Sequence, residues 1–324
     1  MKTAAMLSLA MGLTFGAGAA FAQEITLRSA DIHPDGYPTV DAVKFMGDLV
    51  KERTNGRIAI QVMNNAALGT EKDTIEQTRF GVIDMNRVNS APFNNLVPET
   101  VVFGLPFLFR DAEHMHKVVD GEIGDEALAA FEPHGLIGLA FYDSGARSFY
   151  STKKPIQSLA DLKGMKVRVQ QSDLWIAMME AFGANPTPMP FGEVYSSLET
   201  GVVDAAENNW PSYESSRHFE VAKNYTLTDH SLTPEILAIS KVTWDKLTPE
   251  DQKVIREAAK ESVGKMRELW QAREKASEEK IRASGANIIT VDKAEFVAAM
   301  QPVYDKFVTD PKMKDLVERV RAVK

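Results

Sequence analysis

The sequence contains no cysteine. Disulfides, thiolate metal sites, cysteine nucleophiles and a lipid-modified amino-terminal cysteine are therefore excluded. It also lacks a positive balance. The 37 lysines and arginines stand against 45 acids, a formal net charge of -8, which argues against nucleic acid as a partner. No Gly-x-Ser-x-Gly elbow, phosphate loop, Gly-x-Gly-x-x-Gly fingerprint or His-Glu-x-x-His pair occurs, so the familiar enzyme signatures are missing. His114 and His116 lie two apart in a helical stretch. They do not share a face, make a poor metal pair and are expected to be solvated. No cofactor is expected.

What is present begins with an export signal. Lys2 supplies a positive end, Ala4 to Ala20 is largely apolar, and Ala20-Phe21-Ala22 places small residues around a cleavage site. Cleavage after Ala22 removes residues 1–22, makes Gln23 the new amino terminus and moves the net charge from -8 to -9. The alternative is a membrane anchor, but the run is short, rich in Gly and Ala, and no stop-transfer flank follows. A free periplasmic protein of about 300 residues is expected, without membrane insertion and large enough for two lobes.

Glu24 to Asp31 alternates like a strand, His33-Pro34-Asp35-Gly36-Tyr37-Pro38 breaks the chain, and Val40, Val43, Gly47 and Val50 carry a helical pattern. The unit returns as Arg57 to Val62, a loop through Gly69, and a helix from near Glu71 to Gly81. Strands alternating with helices predict an α/β protein with largely parallel sheets. Phe80-Gly81-Val82-Ile83-Asp84-Met85 resembles Thr200-Gly201-Val202-Val203-Asp204-Ala205, 120 residues on, each glycine ending a helix and each apolar pair opening a strand. Two similar lobes would explain this, as would shared local chemistry. From Thr248, a cap residue, Pro249 and two acids start a helix whose apolar stripe runs from Val254 to Trp270. Continued to about Ser284 it would span about 55 Å. A break at Gly264 would instead give two helices.

An acidic protein that binds an anion must concentrate its cations locally. Gly164 to Gln170 alternates, with Met165, Val167 and Val169 on one face and Lys166, Arg168 and Gln170 on the other. A solvated edge strand fits this pattern. So does a cleft into which Arg168 points, gripping a carboxylate with its planar fork. Arg147 follows the predicted strand Leu136 to Phe141; it could close the other side of an anion site or pair with Asp143 or another surface acid. Glu207, Asn208 and Asn209 follow a buried-looking run, where strand ends often line a ligand crevice; a simple turn is the alternative. His33, Glu71, Asn86, Arg87 and Asn89 occupy comparable positions in the first half, as hydroxyl binders or as a buried network. Glu278-Glu279 belongs to the charged face of the long helix.

At these residues the chain resembles the DctP-type solute-binding proteins of tripartite ATP-independent periplasmic (TRAP) transporters. The resemblance covers nearly all of the mature chain. It rests on the signal, the Gly164-to-Arg168 strand, Phe191-Gly192-Glu193-Val194-Tyr195 through Asp204, Glu207-Asn208, Glu220 to Tyr225, and Thr228-Asp229-His230. It implies an α/β two-lobed Venus-flytrap fold with hinge strands and a long helix spanning both lobes. Lobe I would comprise 24–145 plus 234–273, and lobe II 146–233 plus 274–324. The family's carboxylate-binding arginine falls on Arg168, its frequent second arginine on Arg147 and its cleft asparagine on Asn208. The implied ligand-binding set is Arg168, Arg147, Asn208, Glu71, His33, Asn89, Arg87, Gln170, Asn209 and Phe191.

One departure is that Asn209-Trp210-Pro211 follows the asparagine, where many members have proline directly. With His33 to Pro38 and Asn86 to Asn89, this resembles the branch that binds glucuronate and galacturonate. The implied partners are a uronate and the TRAP membrane subunits, and the protein is expected to be a monomer. Other organic acids, a periplasmic enzyme using Glu71 with Arg87 or His33, and a binding protein serving a sensor or an ATP-driven importer stay open as alternatives.

Overall fold

A computed structural model describes residues 25–324; the apolar amino-terminal run and the junction after Ala22 lie outside them. Along the chain the strands are β1 (Ile25–Ala30), β2 (Ile58–Met63), β3 (Met85–Asn89), β4 (Leu136–Tyr142), β5 (Arg147–Ser151) and β6 (Lys166–Val169). There follow β7 (Asn185–Pro188), β8 (Ala205–Asn208), β9 (Asn224–Ser231), β10 (Glu235–Ser240) and β11 (Asn287–Thr290). They form two sheets, ordered β2-β1-β3-β10-β4 and β11-β9-β5-β8-β6-β7.

The sheets are mixed, not largely parallel as the sequence pattern predicts. In the first, β1 runs parallel with β2 and β3, while β10 runs against β3 and β4. In the second, β6 runs parallel with β7 and β8, while β5 runs against β8 and β9. The cause is the crossing of the chain. β4 leads through residues 143–146 into β5, and β9 leads through 232–234 into β10. A strand entering from the facing sheet enters where the parallel strands finish, so it must run the opposite way.

The short internal repeat marks a real correspondence. Reading β2-β1-β3-β10-β4 against β7-β6-β8-β5-β9 gives the same order and directions, with β11 added beyond β9. Gly81 and Gly201 both take left-handed φ values, 70° and 76°. The Asp84 carboxylate accepts from the Arg28 backbone N–H at 2.8 Å, and Asp204 from that of Lys166 at 2.9 Å. One expectation is corrected: the apolar pairs do not open the strands. Val82 and Val202 are exposed turn residues, only Ile83 and Val203 are buried, and pairing begins at Met85 and Ala205.

Helix α1 (Pro38–Arg53) lays Val40, Val43, Met46 and Val50 on the first sheet. Gly47 permits the close approach, since a Cβ there would lie 3.2 Å from the Ile60 Cβ. Helix α2 (Glu71–Arg79) starts at a reciprocal capping box between Thr70 and Asp73. The long helix is continuous from Pro249 to Ala283, 35 residues, through Gly264. At the ordinary rise it is about 52 Å long. Ile255, Ala259 and Met266 join the core beneath the first sheet, whereas Ile281 joins the core of the second. The carboxyl-terminal helix Pro311–Ala322 reaches back to the helices that follow β3, through Arg319–Glu126 and Lys312–Glu99 ion pairs.

The two helical histidines differ from expectation. His114 is buried, its Nε2 2.9 Å from the Val320 carbonyl, and His116 is only partly exposed, 2.8 Å from the Asp143 carboxylate. Packing of the terminal helix and the crossing segment covers a face that looks solvated in sequence alone. Among the described residues no helix is long and apolar enough to cross a membrane.

Candidate functional site

The two sheets face each other across a small cavity lined by residues of both. One wall is the cleft end of the first sheet: Ile32 and His33 after β1, Glu71 opening α2, Asn89 ending β3 and Glu235 opening β10. The other carries Arg147 opening β5, Arg168 and Gln170 on and after β6, Phe191, Asn208 ending β8, and Ser212, with Ser144 in the crossing between them.

Arg168 is the chemical anomaly. It lies on an interior strand and is 2% exposed, so the solvated-edge reading fails. Nε and Nη2 donate to the Met189 carbonyl at 3.1 and 2.8 Å. Among the described residues Nη1 makes no hydrogen bond, and no carboxylate lies within 4.0 Å of the guanidinium. Burial therefore pulls its pKa below the ordinary arginine value, in contrast to Arg87 and Arg147. The backbone carbonyl of Met189 orients the fork without neutralising it, and Glu207 and Glu71 act on its charge only from beyond ion-pair distance.

Arg147 has the opposite arrangement. Its Nε and Nη2 grip both oxygens of Glu207 at 2.6 and 2.9 Å, and the guanidinium lies 5.2 Å from the Trp175 ring. Its partner is Glu207, not Asp143. Burial alone would raise the Glu207 carboxyl, but Arg147 reverses this and holds it below the usual range. Arg87 is likewise committed, to Asp31 and Glu235.

Eight of the ten sequence-derived candidates line the cavity: Arg168, Arg147, Asn208, Glu71, His33, Asn89, Gln170 and Phe191. Arg87 and Asn209 do not. Arg87 lies behind the wall as a clamp on Glu235. Asn209 caps the helix Trp210–Ser215 through Ser212 N–H and donates to the Ser144 carbonyl at 2.7 Å, so it shapes the crossing. Ile32, Ser144, Ser212 and Glu235 were missed. Glu235 had a signal in the sequence: it is an acid opening a strand that is otherwise apolar from Ile236 to Ile239.

Several polar atoms at the cavity lack partners among the described residues. His33 Nδ1 and Gln170 Oε1 are buried without a hydrogen bond. Burial, with Arg87 and Arg147 nearby, holds His33 well below the usual imidazole range, so the ring is neutral and can serve as donor or acceptor. It stacks on Tyr37 at 3.7 Å between centroids. Phe191 meets His33 edge-on at 5.5 Å and lies 5.9 Å from Arg168, giving an apolar face among the polar groups. Glu71 accepts only a long contact, 3.4 Å, from the Asn89 N–H. Burial first, and Glu235 second, raise its carboxyl pKa. Among the described residues the site thus offers one cation without a carboxylate partner, one loosely held acid, and neutral polar groups. No cluster of metal-ligating side chains occurs among the described residues.

The chain superposes with a TM-score of 0.90 on a TRAP periplasmic solute-binding protein from Bradyrhizobium sp. BTAi1 in complex with D-galacturonate, 61% identical, covering 91% of this chain and 99% of the other. A TRAP periplasmic solute-binding protein from Pseudomonas putida F1 with bound D-glucuronate also gives 0.90, at 45% identity, over 93% and 98% of the chains. A Citrobacter koseri protein, 40% identical, is informative in two states. With D-glucuronate bound it gives 0.90 over 92% and 99% of the chains, but its open apo form gives 0.81 over 92% and 98%. The arrangement seen here is that of the ligand-bound form. Residues 29–310 match the DctP family, bacterial extracellular solute-binding protein family 7, and the chain belongs to that family of solute-binding proteins.

Proposed function

We propose that this chain is the periplasmic solute-binding component of a TRAP transporter, exported with cleavage near Ala22, and that it captures D-galacturonate or D-glucuronate. The observation that carries the ligand class is the buried Arg168, which among the described residues has no carboxylate within 4.0 Å and lines the cavity between the two sheets. A monocarboxylate completes it through charge-assisted hydrogen bonds. Glu71, His33, Gln170 and Asn208 are then within the cavity to bind hydroxyls, and Phe191 covers an apolar ring face. The galacturonate and glucuronate complexes of the structural relatives support the same class.

Capture works by closure. Residues 24–145 with 234–273 move against 146–233 with 274–324, hinged at the two strand crossings and the long helix, with the terminal helix bridging both. The ligand favours the closed state because only there does it touch both walls. Closure removes water, which strengthens the contact to Arg168. The closed complex then docks on the membrane subunits and releases its cargo.

Calorimetry with the mature protein tests the reading. Galacturonate or glucuronate should bind tightly, raise the melting temperature and be recovered unchanged after long incubation. Binding of a C4-dicarboxylate or sialic acid but neither uronate would overturn the ligand class, and turnover would overturn the transport role.

A further inference from the structure

We propose that Glu71 and Glu235 act as a charge filter that rejects sugar diacids, so that the site discriminates a hexuronate from the aldarate formed by oxidising its C1 aldehyde to a second carboxylate. The inference rests on the uronate reading. The two compounds share their carbon skeleton, but the aldarate has no aldehyde and cannot close a hemiacetal ring. Shape therefore separates them equally at any pH, and the contribution of Glu71 and Glu235 is the part that responds to pH and to removal of their charge. Charge separates them well.

Among the described residues one cation at the cavity lacks a carboxylate partner, and it is on one wall. Arg147 is satisfied by Glu207 and Arg87 by Asp31 and Glu235, which leaves Arg168 as the acceptor of a carboxylate. The opposite wall carries two carboxylates around Asn89. Asn89 Nδ2 donates to Glu235 Oε1 at 3.0 Å, and its backbone N–H faces Glu71 Oε1. Arg87 and Asn89 fix Glu235, while Glu71 has no cation within 4.0 Å among the described residues. A ligand whose carboxylate meets Arg168 therefore presents its far end to acceptors. A hemiacetal hydroxyl there donates a hydrogen bond. A second carboxylate would meet like charge in a dry site, where two acids cannot both stay ionised.

An aldarate can enter by bringing a proton that it shares with Glu71. Burial and Glu235 already favour that proton. The groups acting on Glu71 are Glu235 from β10, Arg87 from β3 and Arg168 from β6, with the neutral His33 lining the same cavity after β1. Discrimination should therefore be greatest at neutral pH and narrow as pH falls.

The experiment measures the dissociation constants of galacturonate and galactarate for wild type, Glu71→Gln and Glu235→Gln at pH 7.5 and pH 5.5. Wild type at pH 7.5 should prefer the uronate by at least about 100-fold. Glu71→Gln should narrow that ratio by at least about tenfold, whatever happens to uronate affinity itself, because the amide keeps the shape and removes the charge. Glu235→Gln should narrow it by less, since Arg87 already screens that acid. For wild type, the ratio should shrink at pH 5.5, a result that needs no variant to fold. Equal affinities in wild type, or a ratio unmoved both by folded Glu71→Gln and by pH, would overturn the filter while leaving uronate capture intact. Failure of wild type to bind uronate would overturn both.

Discussion

Arg147 and Arg168 are equally buried, but Arg147 is paired with Glu207 whereas Arg168 has no carboxylate within 4.0 Å among the described residues, so their removal should have different effects. Arg168→Ala should weaken uronate binding by about 2–5 kcal/mol, the range for deleting one partner of a buried charge pair. The apoprotein should stay folded, because no protein carboxylate loses its counter-ion. Arg168→Lys should also bind poorly, since an ammonium cannot reproduce a fork held by the Met189 carbonyl. Calorimetry on folded variants checks both, and near-native affinity would remove Arg168 from the site. Arg147→Ala should instead lose stability, because Glu207 would be left buried and unpaired. At this scale the alternation around Arg168 was legible in the sequence. The pairings were not, because Arg147–Glu207 and Arg87–Glu235 join residues 60 and 148 positions apart.

At the scale of elements, the long helix was the clearest feature in the sequence: Thr248 caps it, accepting from the Asp251 N–H at 3.2 Å, and its apolar stripe continues past Gly264. A helix interior tolerates one glycine at a modest cost. A Cβ at Gly264 would meet no atom within 4 Å, and its φ is not left-handed. Gly264→Ala should therefore stabilise the protein by about 0.4–1 kcal/mol, through a less flexible unfolded chain, read as a higher urea midpoint with an unchanged slope. A lower midpoint would mean that the helix needs flexibility there. The strand starts were harder to place. Val82 and Val202 look like core residues by type, yet the left-handed glycine before each directs them outward. Strand directions were hidden as well, since β5 and β10 are reversed by where the chain crosses and not by their own residues.

For the molecule as a whole, capture by closure would require that some contacts exist only when the walls meet. The Tyr37 hydroxyl, at the start of α1, lies 2.8 Å from Ser212 Oγ on the opposite wall. Tyr37 is otherwise held by its stack on His33 and an edge contact with Trp270. Tyr37→Phe keeps the ring and removes only the bridging bond. If that bond forms on closure, its loss raises the free energy of the closed complex and leaves the open form unchanged. Affinity should then fall by about 0.5–1.5 kcal/mol, the net value of one such hydrogen bond. Ser212→Ala should cost a similar amount, and the double variant no more than either alone, since both remove one interaction. Additive losses would show that the two side chains act separately. If affinity holds while the apoprotein's melting temperature drops, the bond belongs to both states and closure is driven elsewhere, at Arg168 and the ligand itself.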